Sequence, residues 1–369
     1  MKNLTQKLSK QFFGASVRVV TLALFVVVFG ASAALAQTRG YVANSNSNNV
    51  SVIDPATNTV VATIPVGGLP RSVAVTPNGA FAYVPNLISH NVSVISAATN
   101  TVVATVPVGN FPQGIAITPN GAFAYVINAS GSVSVINTAT DTVTVTIPGI
   151  ASPNAIAITP SGDFAYVVST SGNVTVIDTA SNTVAATVPV GGFLIGVAIT
   201  PNGAFAYVAN LTADNIAVIS TATNTVVATI PVGDGAWGVA FTPNGAFAYV
   251  SNLNSDSVSV INTSTNAVVA TVPVGNLPRY LAMDPTGTSV YVPNDFDSTV
   301  SVINTATNTV IATIGVGDDP FAVAFPVSTQ GPANKDQCKN GGWQTFTNPS
   351  FKNQGQCIKF VNHMDEHEH

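Results

Sequence analysis

The sequence predicts an all-β fold: a seven-bladed β-propeller of four-stranded antiparallel blades, closed by a C-terminal inner strand and followed by a small disulfide-bonded module. Three observations carry that expectation. Tyr41, Tyr83, Tyr125, Tyr166, Tyr207, Tyr249 and Tyr291 recur at intervals of 41 or 42 residues, the mark of a repeat fold. Each interval holds four short runs rich in Val, Ile and Thr, separated by turn residues, as a meander of four strands requires. The first repeat begins at its second strand, and one orphan first strand, Phe321 to Phe325, follows the last repeat. An inner strand supplied from the far end of the chain would complete the first blade and remove two free sheet edges.

The second repeat illustrates the elements. Strand a is Ser72 to Val75, strand b Ala80 to Val84, strand c Asn91 to Ile95 and strand d Thr101 to Val108. The a–b turn, Thr76-Pro77-Asn78-Gly79, has a Pro to fix φ and a Gly able to take φ > 0. Close variants of it begin at Thr118, Thr159, Thr200, Thr242 and Asp284. The c–d turn, Ala98-Thr99-Asn100-Thr101, offers Asn for the left-handed region. Pro107 falls near the end of the outermost strand, where a missing N–H does least harm. Val and Ile on both faces of the strands suit sheets packed between neighbouring sheets. A parallel β-helix has shorter rungs, and no stretch after residue 40 shows the 3.6-residue period of a helical solenoid.

The ends differ from the repeat. Residues 1–36 read as a signal peptide: Lys2, Lys7, Lys10 and Arg18 precede an apolar run, and Ala34-Leu35-Ala36 supplies the cleavage pattern. Removing those four basic residues leaves seven Lys and Arg against sixteen Asp and Glu, a net charge of −9 with His neutral. Residues 41–325 contain no Lys and no Glu; Arg71 and Arg279 alone oppose twelve Asp. A nucleic-acid binder needs basic density that this body lacks, and an anionic membrane surface is disfavoured for the same reason. A linker over 328–336 leads to a module over 337–362 and a flexible tail over 363–369. Cys338 and Cys357 are the only cysteines, and an exported chain is expected to join them as a disulfide. The expectation is a monomer that is periplasmic, extracellular or at the cell surface, with no transmembrane anchor after cleavage.

The tetrapeptides Tyr83-Val84-Pro85-Asn86, Tyr207-Val208-Ala209-Asn210 and Tyr249-Val250-Ser251-Asn252 carry a family resemblance. With the Ser-Val-Ile and Val-Ala-Thr-Ile-Pro-Val-Gly strings that follow such tetrapeptides, the chain resembles the YVTN family of β-propeller repeat proteins over about residues 40 to 325. The fourth repeat departs from the signature, because Ser169 stands where Asn is expected. The resemblance implies the propeller fold and a place among bacterial and archaeal surface proteins. The strings around Cys338 and Cys357 resemble a short module that ends various bacterial secreted proteins.

One residue per blade should ring the channel mouth where the d–a loops enter the inner strands: Arg71, Gln113, Asn154, Ile195, Trp237, Arg279 and Phe321. Of these, Arg71, Gln113, Asn154, Trp237, Arg279 and Phe321 are the candidate ligand-binding residues, suited to a polar or sugar-like molecule. The variable b–c loops on the same face are the second place to look. Asp214, Asp234, Asp256, Asp295, Asp297, Asp318 and Asp319 also lie on this face. They read as solvated acidic loops, since no calcium-loop signature accompanies them. Within the repeat region His90 is the sole His and there is no Cys, so neither a catalytic residue nor a metal or cofactor ligand set is expected. The expected function is a non-catalytic exported scaffold for an unidentified protein or glycan. The alternatives are a lactonase- or lyase-like propeller enzyme acting at the channel mouth and a structural surface-layer component.

Overall fold

The computed structural model describes residues 38–326. The expected signal peptide, linker, Cys338–Cys357 module and tail lie outside the described residues. Twenty-eight strands form seven four-stranded antiparallel sheets, the blades of a β-propeller. In the first blade, Pro320–Ala324 pairs with Gly40–Asn44, and Asn49–Asp54 and Thr59–Pro65 complete the sheet. Blades two to seven follow in chain order, each with its strand a innermost. Among the described residues no helix is long and apolar enough to cross a membrane.

Burial explains the residue pattern. Strands b and c are buried on both faces, as in Phe81–Asn86 and Asn91–Ser96, because each blade packs between two others. The outer strand, as in Thr101–Pro107, alternates exposed and half-buried positions. Its third residue is bulged: Val94 and Ile95 pair with Ala104 and Val102, leaving Val103 outside the ladder. Such a bulge twists the free edge and hinders its pairing with another chain.

The repeated Tyr has a specific task. Tyr125 Oη donates to Asn182 Oδ1 at 2.7 Å, and Tyr83, Tyr166, Tyr207, Tyr249 and Tyr291 bond in the same way to Asp141, Asn224, Asn266, Asn308 and Asn58. Each acceptor sits in the c–d turn of the following blade, with φ between 51° and 55°. Every such bond staples two blades. Tyr125→Phe is therefore expected to lower stability by about 1–2 kcal/mol, read from the midpoint of urea unfolding at unchanged slope.

The a–b turns are built alike. Thr76 Oγ1 donates to Asn78 Oδ1 and accepts from Phe81 N, while Gly79 takes φ +69°. Strand a is less uniform than the repeat suggests. It spans six residues in blades three to six but only Ala74–Val75 in blade two and Ala282–Met283 in blade seven. The reason lies in strand b. Those two blades carry Pro85 and Pro293 at the third tetrapeptide position, and proline cannot donate to the a–b ladder. Only isolated bridges, Pro70 to Asn86 and Pro278 to Asn294, mark the upper ends of these inner strands.

Candidate functional site

The two prolines loosen the inner strand in the blades that carry Arg71 and Arg279, the only basic residues of the ring. Four ring residues come together across blades six, seven, one and two. The Arg279 guanidinium lies 4.4 Å from the Trp237 ring centroid and 5.0 Å from that of Phe321. The Arg71 guanidinium lies 4.4 Å from the other contact of this stack, the Phe321 centroid. The order Trp237, Arg279, Phe321, Arg71 thus alternates ring and cation, each face-on contact worth roughly 1 kcal/mol. Trp237 Nε1 is buried without a partner among the described residues.

The other half of the ring is occupied by structural bonds. Gln113 Nε2 donates to Pro153 O and Asn154 Nδ2 to Ile195 O, each at 2.8 Å, tying neighbouring blades. Ile195 is buried. Gln113 and Asn154 are consequently committed to backbone, whereas Arg71, Arg279, Trp237 and Phe321 form one cluster.

Two carboxyls join that cluster. Asp295, in the b–c loop of blade seven, accepts from Arg279 Nε at 2.8 Å and Nη2 at 2.5 Å. This charge-assisted pairing leaves the Arg279 and Asp295 side chains only 17% and 13% exposed. Asp319 follows in the d–a loop that enters blade one, at φ +56°, its carbonyl accepting from Ser45 N at 2.8 Å. Its Oδ1 is buried and unpartnered among the described residues. Burial raises the Asp319 pKa, and the adjoining Asp295 carboxyl raises it further, outweighing Arg71 and Arg279, so that it is pushed up to about 7. A carboxyl that can carry or release a proton at neutral pH thus feels the charges of both guanidiniums.

Tyr280 packs against two rings of this stack, those of Trp237 and Phe321. Its hydroxyl donates to Ile195 O at 2.9 Å and accepts from Asn154 Nδ2 at 3.0 Å, so the side chain crosses the channel axis from blade seven to blades four and five. Burial pushes its phenol up.

Sequence reasoning placed Asp295 and Asp319 among solvated acidic loops and did not single out Tyr280. For the other acids the capping role is clear. Asp214 accepts from Gly235 N at 2.8 Å and Asp256 from Leu277 N at 2.9 Å, and Asp297 accepts from Asn276. His90 fills the equivalent slot in blade two, its Nδ1 accepting from Phe111 N at 3.1 Å. The available signal for the pair was positional: where most blades put Leu, Phe, Ala or Gly in these two loop positions, Asp295 and Asp319 put carboxyls.

Residues 117–237 match the family model of the cytochrome D1 heme domain, and residues 228–311 match that of the seven-bladed β-propeller lactonases. No curated protein matches the chain. Among solved structures, hydrazine synthase of Kuenenia stuttgartiensis is 26% identical, with a TM-score of 0.67, covering 72% of this chain and 92% of that one. A protein of unknown function from Desulfotomaculum acetoxidans is 18% identical at a TM-score of 0.71, covering 78% and 99%. The dihydro-heme d1 dehydrogenase NirN in complex with DHE is 14% identical at 0.61, covering 79% and 75%; these last two share the fold alone. The expectation of a non-catalytic scaffold, and with it that of no enzymatic activity, is corrected by these matches, which point to haem-domain and enzyme propellers. It had rested on the lack of His and Glu at the channel, and an aspartate pair assembled from loops of two blades escapes that criterion.

The donors present do not suit the haem that one family model suggests. His90 spends Nδ1 on backbone in an outer loop and stacks edge-on to Phe111 at 4.9 Å. Met283 packs in a blade core, and the Tyr280 hydroxyl is already bonded. The described residues at the channel mouth therefore offer no axial ligand, and they do not fit a haem held through its iron.

Proposed function

We propose that the chain is a hydrolytic propeller enzyme of the lactonase kind, acting at the channel mouth. One observation carries the reading: Asp319, a carboxyl whose pKa is raised by burial to about 7, adjoins Asp295, which Arg279 binds. The stretch matched by the lactonase model contains Trp237, Arg279, Tyr280 and Asp295. In this reading Asp319, when ionised, takes a proton from water as the oxygen bonds to the lactone carbonyl carbon. The ring C–O bond then breaks, and the same proton passes to the leaving alkoxide, giving the hydroxy acid. The Arg71 guanidinium faces the charge that grows on the carbonyl oxygen. Arg279 binds Asp295, and burial together with that adjoining carboxyl keeps the Asp319 pKa raised to about 7. The same proposal takes the repeat as YVTN-like and the chain as exported, with cleavage after Ala36 and Cys338 joined to Cys357.

The test is hydrolysis of five- and six-membered lactones followed by pH-stat titration. Because the base form of Asp319 exists only above its raised pKa, the rate should climb as pH rises through about 7. Absence of turnover across the lactone panel, or a rate flat between pH 5 and 9, refutes the reading.

A further inference from the structure

We propose that Tyr280 is a positioning residue of this site, filling the channel beside the ring–cation stack and bracing the rings on which both guanidiniums lie. The inference rests on the catalytic reading above. Its origin is the register of the inner strand. In blades three, four and five the residue opposite the third tetrapeptide position is small: Gly114 faces Ile127, Ala155 faces Val168 and Gly196 faces Ala209. The same count in blade seven sets Tyr280 against Pro293, which has no N–H to give. Tyr280 turns instead to the neighbouring blade. Its N donates to Phe321 O and its O accepts from Val323 N, both at 3.2 Å, in a parallel bridge with Ala322.

That switch aims the side chain across the axis. The phenol ring meets Trp237 at 5.9 Å and Phe321 at 5.7 Å between centroids, the two rings on which Arg279 and Arg71 lie. The far end is pinned by Asn154 and by Ile195 O. A ring lodged against Trp237 and Phe321 takes room from water beside the stack, and a water-poor setting is what keeps a carboxyl beside another carboxyl from ionising. The charged groups facing Asp319 are Asp295, Arg71 and Arg279, and none of them is itself substituted when Tyr280 is replaced.

The experiment compares the wild type, Tyr280→Phe and Tyr280→Leu by pH–rate profile and by the pH dependence of Tm. The second readout needs no turnover, so failure of the lactonase reading and failure of this one are separable. In Tyr280→Leu, water reaching the pair should lower the midpoint by about one pH unit or more, while Tyr280→Phe, which keeps the ring, should stay near the wild type. An unchanged midpoint in Tyr280→Leu overturns the proposal. Should that variant not fold, Asn154→Ala unpins the phenol and must lower the midpoint by about half a unit; no shift there overturns it equally.

Discussion

Asp319→Asn is expected to lower kcat for lactone hydrolysis by about 10²–10⁴-fold while leaving KM within a few-fold, and to raise Tm at pH 8. The two effects share one cause. The amide keeps the shape of the side chain and cannot take a proton from water, so the loss falls on the chemical step. Stability moves the other way. The folded pKa of Asp319 is raised from 3.8 to about 7, so between those values the folded protein binds more protons than the unfolded chain. Stability from this group is present in full below the unfolded value and declines as pH rises towards about 7, because ionisation in the folded state sets a charge beside Asp295. Asn removes that decline. A plot of Tm against pH should be flatter for the variant between pH 4 and 7, with the gain over the wild type persisting above pH 7. A wild-type slope retained in Asp319→Asn would show that another group titrates.

The propeller itself was legible because each blade repeats the same physical solution. The Thr-Pro-Asn-Gly turn, the stapling Tyr and the bulged outer strand are local devices whose residues lie within one 42-residue interval, or at the same place in the next. The ring of seven mouth positions could be counted from that repeat as well. Its chemistry could not. Gln113 and Asn154 look like ligand-binding amides until their backbone acceptors in the next blade are known. Asp295 and Asp319 meet across the boundary between blades seven and one, and a carboxyl's pKa depends on neighbours that no period reveals. Besides the carboxyls at two loop positions, the local clue was a departure from the repeat: Tyr-Val-Pro-Asn occurs in blades two and seven, and these blades have the shortened inner strands and the two arginines. Departures from a strong repeat mark where the scaffold gives way to function.

Among the described glycines the closest backbone approach, at Gly196, joins that scaffold to the site, and Gly196→Ala should therefore be among the most damaging single substitutions. A Cβ at Gly196 would stand 2.1 Å from the carbonyl oxygen of Trp237 and 3.4 Å from Gly238 Cα. The obstacle is backbone, so no side-chain rotation relieves it; the inner strands of neighbouring blades cannot part without opening a blade interface. Overpacking of this kind costs about 3 kcal/mol or more. Gly149→Ala is the control: Gly149 has φ +79° but nothing within 4 Å of its Cβ, so only the left-handed backbone penalty of about 1–2 kcal/mol applies. Thermal unfolding should rank Gly196→Ala well below Gly149→Ala, and equal Tm values would show that the inner strands yield more easily than their spacing implies. Because the strand that must move carries Trp237, whose ring supports Arg279 and through it Asp295, Gly196→Ala should also displace the carboxyl pair. Protein that survives as a folded fraction is expected to show a shifted pH–rate midpoint, whereas Gly149→Ala should keep that of the wild type.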